Sequence, residues 1–192
     1  MSKSSTSSTL PVPTFPDPDR RERVLSACAL IEPIFRHHAA ARHLPGVAYG
    51  VVVDGELMFS HSFGVRNVAT AAPVDADTVF RIASMTKSFA ALAILQLRDA
   101  GKLRLDELVA TYVPELATLT YPTTDSAPIT LRHLLTMAAG WPQDDPWGDR
   151  QLYRNDTAMS DFYRAGVSWS NPPGITFEYS NYAYMVLGRI IT

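Results

Sequence analysis

Ser84 and Lys87 stand three residues apart in the run Ser84-Met85-Thr86-Lys87, a spacing that brings two side chains to one face of a helix. A serine hydroxyl becomes a competent nucleophile only when a neighbouring group takes its proton, and the common acceptors are a histidine or a lysine whose ammonium is disfavoured. Lys87 is placed for the second solution. A helix is predicted over about 84–100, closed by Gly101, and both residues would fall in its first turn, where the dipole opposes a cation and favours a developing anion. In that position the Ser84 backbone N–H is a candidate for half of an oxyanion hole. A lone Ser-x-x-Lys is more often an N-cap followed by a solvated lysine. Here, however, every residue from Ser88 to Leu97 is uncharged. A helix apolar nearly all round is expected to be buried, and a lysine at its mouth is costly without a purpose.

A second cluster is Tyr179-Ser180-Asn181, which follows the Asn171-Pro172-Pro173-Gly174 turn and precedes an apolar helical stretch. A phenol beside a cation ionises more easily, so Tyr179 is a candidate to exchange protons with Ser84 and a leaving group. Asn181 is a candidate to hold both a substrate carbonyl and Lys87. The same Tyr-x-Asn pattern occurs at Tyr153-Arg154-Asn155. That copy lies in a charged stretch without the turn and the apolar helix, and it ranks below Tyr179.

The elements that must carry these groups are legible in outline. Residues 19–44 present apolar positions at helical spacing, with Pro33 as a possible kink. Val47 to Val53 and Glu56 to Val65 read as strands joined by Asp54-Gly55, a hairpin loop in which both turn residues take positive φ. Further helices are predicted over 105–113 and 130–138, the latter with Thr130 as N-cap. Residues 140–150 form a Pro- and Asp-rich loop, and the chain ends within a helical segment. No internal repeat is present. This order gives an α+β protein with a helical subdomain.

Three runs resemble the serine β-lactamase and penicillin-binding-protein superfamily, in particular its class C β-lactamase-like esterases and D-peptidases. They are Phe80-Arg-Ile-Ala-Ser84-Met-Thr-Lys87-Ser-Phe89, Leu134-Leu-Thr-Met-Ala-Ala-Gly140 and Pro173-Gly-Ile-Thr-Phe-Glu-Tyr179-Ser-Asn181-Tyr182. The resemblance spans about Leu25 to the end. It implies a β-lactamase/transpeptidase-like fold with Ser84 as nucleophile, Lys87 and Tyr179 as the proton-handling pair, and Asn181 as partner of substrate and lysine. By the same analogy Trp141 and Trp147 line the substrate cleft, with simple anchoring of their loop as the alternative. The implied division is a leader over 1–18, the helix and hairpin of an α/β domain over 19–83, and a helical subdomain from 84 to 192. The superfamily's third motif, Lys- or His-x-Gly on a later strand, is absent, so the chain is expected to be truncated and to lack the C-terminal strands and one oxyanion donor. The implied substrate is a small ester, β-lactam or D-amino-acid amide, attacked to form an acyl-enzyme. The competing expectation is a family member that binds without turnover.

Composition narrows the remaining classes. Seventeen basic and nineteen acidic residues are dispersed along the chain, giving no basic stripe for nucleic acid. The single cysteine, Cys28, rules out an internal disulfide and a cysteine-based zinc site. A metal site from His37, His38, His43 or His133, or from Asp144, Asp145 and Asp149, has little support, and no cofactor is expected. A Ser-His-Asp hydrolase would show Gly-x-Ser-x-Gly, which does not occur. Neither a signal-peptide core nor an apolar run of roughly 20 residues is present, so a cytoplasmic location away from the membrane is expected.

Overall fold

The computed structural model describes residues 15–143 and 153–192. The expected leader therefore lies mostly outside the described residues, as do Trp147 and the aspartates at 144, 145 and 149. Contacts divide the chain at Phe80/Arg81 into two compact units, which places Arg81–Ala83 with the serine rather than with the hairpin.

In the first unit, helices α1 (Arg20–Cys28) and α2 (Ile31–Ala41) precede strands β1 (Gly46–Val53), β2 (Glu56–Asn67) and β3 (Ala72–Pro73). The expected kinked helix over 19–44 is two helices. Pro33 would set its ring against the carbonyl of residue 29 in a continuous helix. The chain instead breaks at Ala29–Leu30, so that proline falls in the first turn of α2. The hairpin forms as expected: Val53 pairs with Glu56, and Asp54 and Gly55 both take positive φ, 53° and 82°. Arg20 and Arg21 of α1 pair with Asp54 at this turn, while Phe35 of α2 stacks on Tyr49 of β1 at 4.3 Å. The antiparallel sheet has the order β1-β2-β3.

The second unit is helical. A 3-10 turn (Ala83–Met85) leads into α3 (Thr86–Asp99), followed by α4 (Val109–Tyr112), α5 (Leu131–Leu135), α6 (Asp156–Ala165) and α7 (Asn181–Ile191). α7 packs against both α3 and α5. Its core includes Ile94 of α3, Leu131 and Leu134 of α5, and Tyr182, Val186 and Leu187 of α7, all with no exposed surface.

Three expectations are corrected here. Ser84 precedes α3 instead of opening it, because the chain takes a tighter 3-10 turn at Ala83–Met85. α3 is covered on one face only: Ile94 is buried, whereas Phe89 and Leu92 remain 65% and 55% exposed. The helix expected over 105–113 contracts to a single turn. Leu108 is extended and bridges Thr130, and the flanking Val109 N–H and Glu107 carbonyl bond to Ile129 and Leu131 instead of to a helix.

One backbone platform positions the segment ahead of α7. Thr130 caps α5 by accepting from the His133 N–H, and the His133 side chain accepts from the Thr130 N–H. Just beyond α5, the Gly140 carbonyl accepts from Ser170 and Asn171, the Ala138 carbonyl from Gly174, and the Met137 carbonyl from Glu178. This clamp relies on Gly140, whose φ is +81° and whose missing Cβ would lie 2.1 Å from the Asn171 carbonyl oxygen. A Gly140→Ala substitution is expected to destabilise the protein by at least about 1–3 kcal/mol from backbone strain alone, read as a lower midpoint in urea. For comparison, Leu134→Ala should cost about 2–5 kcal/mol in the same titration, without displacing the platform.

Candidate active site

Ser84 reaches the site from a strained backbone. Ala83, just before it, has φ +46°, a region that costs a residue with a Cβ about 1–3 kcal/mol and is held only by the surrounding fold. The serine is exposed, and Lys87, one residue into α3, is half-buried. Lys87 Nζ lies 3.2 Å from Ser84 Oγ, 2.7 Å from the Tyr179 hydroxyl and 2.6 Å from Asn181 Oδ1. An ammonium has three protons and no acceptor; here each proton has an oxygen to meet. Ser84 Oγ and the Tyr179 hydroxyl are 2.5 Å apart, closing a triangle of serine, lysine and tyrosine.

Lys87 donates to both hydroxyl oxygens, and either hydroxyl can donate to the other. Where Ser84 donates, the Tyr179 oxygen accepts twice. An oxygen accepting two such bonds is stabilised as the anion. Burial pushes the Tyr179 phenol up, but hydrogen bonds from Lys87 and Ser84, with the Lys87 charge, outweigh it and bring the phenol below its ordinary value.

Asn181 meets Lys87 because a neighbour takes the capping role. Ser180, fully buried, caps α7 by accepting from the Ala183 N–H, which leaves Asn181 as the first helical residue with Oδ1 on the ammonium. In the second Tyr-x-Asn copy Asn155 itself caps α6, accepting from the Ala158 N–H at 2.9 Å, and Tyr153 is 81% exposed. The structure thus brings Ser84, Lys87, Tyr179 and Asn181 together and leaves the second copy as a helix start.

Trp141 departs from expectation. It has no exposed surface and packs edge-on to Tyr182 with centroids 4.7 Å apart, so among the described residues it is a core anchor of its loop. His133 is a capping residue beneath Gly174, and burial lowers its imidazole from the ordinary range. His37, His38 and His43 are exposed. Among the described residues no group of three or more His, Cys, Asp or Glu is placed to hold a metal ion, and no helix is long and apolar enough to cross a membrane.

Two contributors escaped the sequence. Glu178, beside Tyr179, accepts weakly from the Gln143 N–H and the Asn171 side chain, each at 3.4 Å, tying the loop after Gly140 to the turn before Tyr179. Tyr184 places its ring 5.7 Å from Lys87 Nζ and donates its hydroxyl to the Leu135 carbonyl at 3.2 Å. Its spacing of three from Asn181 was the available signal, usable only once the start of α7 is known.

Comparison with known proteins finds relatives for most of the chain. The chain is 33% identical over 163 residues to "Protein flp" of Staphylococcus aureus (strain COL), covering 84% of this chain and 32% of that protein. It is 35% identical over 151 residues to penicillin-binding protein 4 of Amycolatopsis lactamdurans, covering 78% and 38%. Among solved structures, the octameric penicillin-binding protein homologue from Pyrococcus abyssi superposes with a TM-score of 0.69 at 29% identity, over 85% of this chain and 38% of that one. The chain therefore spans about a third of the length of these relatives. The family model described as Beta-lactamase matches residues 31–192, and the chain belongs to that family.

Proposed function

We propose that this chain carries the nucleophile-activating half of a serine acyl hydrolase, with Ser84 forming an acyl-enzyme from an ester, a β-lactam or a D-amino-acid amide. The observation that carries this reading is the triangle in which Ser84 Oγ and Lys87 Nζ both stand within hydrogen-bond reach of the Tyr179 oxygen. The Tyr179 phenolate takes the Ser84 proton as Oγ attacks the substrate carbonyl carbon. The tetrahedral oxyanion collapses, the bond to the leaving group breaks, and that group receives the proton from Tyr179. Water then hydrolyses the acyl-serine with Tyr179 again as the base. Lys87, expected from the sequence to take the serine's proton, has in this reading the role of the cation that keeps the phenol ionisable; Asn181 holds that cation and meets the substrate carbonyl, and the Ser84 backbone N–H is the oxyanion donor this chain supplies.

A second reading has an observation of its own. No Lys-x-Gly or His-x-Gly occurs within these 192 residues; a site that works with one oxyanion donor fewer typically runs about 10²–10³ slower, and such a protein binds or acylates with little turnover.

Incubation with a fluorescent penicillin and with p-nitrophenyl esters, followed by intact mass, separates these readings. The expected result is one acyl adduct on the parent and none on Ser84→Ala; equal labelling of Ser84→Ala would remove Ser84 as nucleophile. An adduct that persists would mark acylation without turnover. Tyr179→Phe should slow acylation by about 10²–10⁴. Because the active base is the phenolate and its value is lowered, acylation should climb with pH through a midpoint below that of a free tyrosine and be lost as pH falls beneath it. That limb should vanish in Tyr179→Phe.

A further inference from the structure

The Lys87 ammonium faces two tyrosines, and they meet it differently. It lies 2.7 Å from the Tyr179 oxygen against 4.7 Å from the ring centroid, so that contact is a hydrogen bond to the hydroxyl end. Tyr184 instead meets Nζ with its ring, at 5.7 Å, inside the range in which an aromatic face attracts a cation. Its hydroxyl is engaged on the far side by the Leu135 carbonyl of α5. Asn181 and Tyr184 are three residues apart on α7, so one face of that helix presents both an amide oxygen and an aromatic ring to the same ammonium.

We propose that Tyr184 is a positioning residue for the proposed reaction: its tethered ring holds the Lys87 ammonium at the point where it donates to Tyr179 and Asn181. This rests on the reading of Tyr179 as proton acceptor. The two phenols diverge in a way that fits separate roles. Burial, and then the neighbouring Tyr179, push Tyr184 up, while Tyr179 is drawn down, so Tyr184 keeps its proton on the Leu135 carbonyl as Tyr179 ionises. Lys87 and Tyr179 are the ionisable groups that face Tyr184. α5, packed along α7, presents the Leu135 carbonyl, and its own ionisable residues Arg132 and His133 are engaged by Asp106 and Thr130. Without the ring, the ammonium samples more positions, the phenolate loses part of its counter-charge, and a larger fraction of Tyr179 is protonated near neutral pH.

The test compares the parent with Tyr184→Phe, Tyr184→Leu and a fully fluorinated phenylalanine at position 184. The last has nearly the shape of Phe but an inverted ring quadrupole, so a folded pair is available even if Tyr184→Leu does not fold. Tyr179 ionisation is followed at 295 nm as the difference between each protein and its Tyr179→Phe counterpart, and acylation by p-nitrophenyl acetate is followed across pH. Tyr184→Phe, which loses only the tether, should slow acylation about threefold. The fluorinated ring and Leu should move Tyr179 ionisation to higher pH, carry the acid limb of acylation with it and slow acylation at pH 7 about tenfold, with little change in apparent KM. Identical Tyr179 titrations in the Phe and fluorinated proteins would overturn the proposal. If no probe acylates Ser84 yet fluorination still shifts the titration, the positioning role stands and the hydrolase reading falls.

Discussion

The half-buried ammonium of Lys87 is the constraint around which the second unit is arranged. A cation removed from water must recover its hydration in fixed oxygens, and it does so with a serine from the 3-10 turn, a tyrosine from the segment before α7 and an asparagine on the first residue of α7. These acceptors are up to 97 positions apart in sequence, Ser84 to Asn181 counted as 181 − 84. Only tertiary packing brings them together, and the joint between α3 and α7 does it, with Ile94 facing the interior that Val186 and Leu187 fill. Core and site are thus one object: the apolar contact that brings the helices together sets where the ammonium finds its partners.

Most of the remaining precision comes from main chain. The run Leu134 to Gly140 contributes no side chain to the triangle, yet the carbonyls of Met137, Ala138 and Gly140 take the N–H groups of the segment that delivers Tyr179. Two residues there adopt positive φ, Met137 at 58° and Gly140 at 81°. For methionine this is a strained choice, and Ala83 before Ser84 is another. Such strain persists only where the neighbourhood over-determines the backbone. In both places it lies next to a part of the site: the Ser84 hydroxyl and the segment that carries Tyr179.

What the sequence made legible follows the same division. The Asp54-Gly55 turn, the Thr130 cap and the Ser84/Lys87 pairing each depend on local chemistry within a few residues, and each is found in the structure. Trp141 was misplaced because its type suits both a cleft wall and a core anchor, and only burial tells them apart. α3 was expected to be buried because its residues are apolar nearly all round, yet within these 192 residues Phe89 and Leu92 are exposed; sequence reports the covering a helix calls for, not what is present to provide it. Tyr184 and the Gly140 platform were missed for complementary reasons. One acts through a ring face whose partner is 97 residues away, 184 − 87, and the other through carbonyls that every residue possesses.

The duplicated Tyr-x-Asn pattern shows how a single intervening residue decides what such a motif becomes. Each copy stands immediately before a helix, and each helix start needs an acceptor for an N–H that has no partner within the helix. In Tyr153-Arg154-Asn155 the middle residue cannot accept, so Asn155 must cap α6 and its side-chain oxygen is committed to Ala158. In Tyr179-Ser180-Asn181 the middle residue is a good cap. Ser180 takes that role toward Ala183, the helix begins one residue earlier in the motif, and Asn181 keeps its oxygen for Lys87. The choice of the serine between tyrosine and asparagine as cap is what turns an ordinary helix start into a lysine-binding one. The motif's chemistry therefore resides as much in the capping rule it satisfies as in the two side chains that name it.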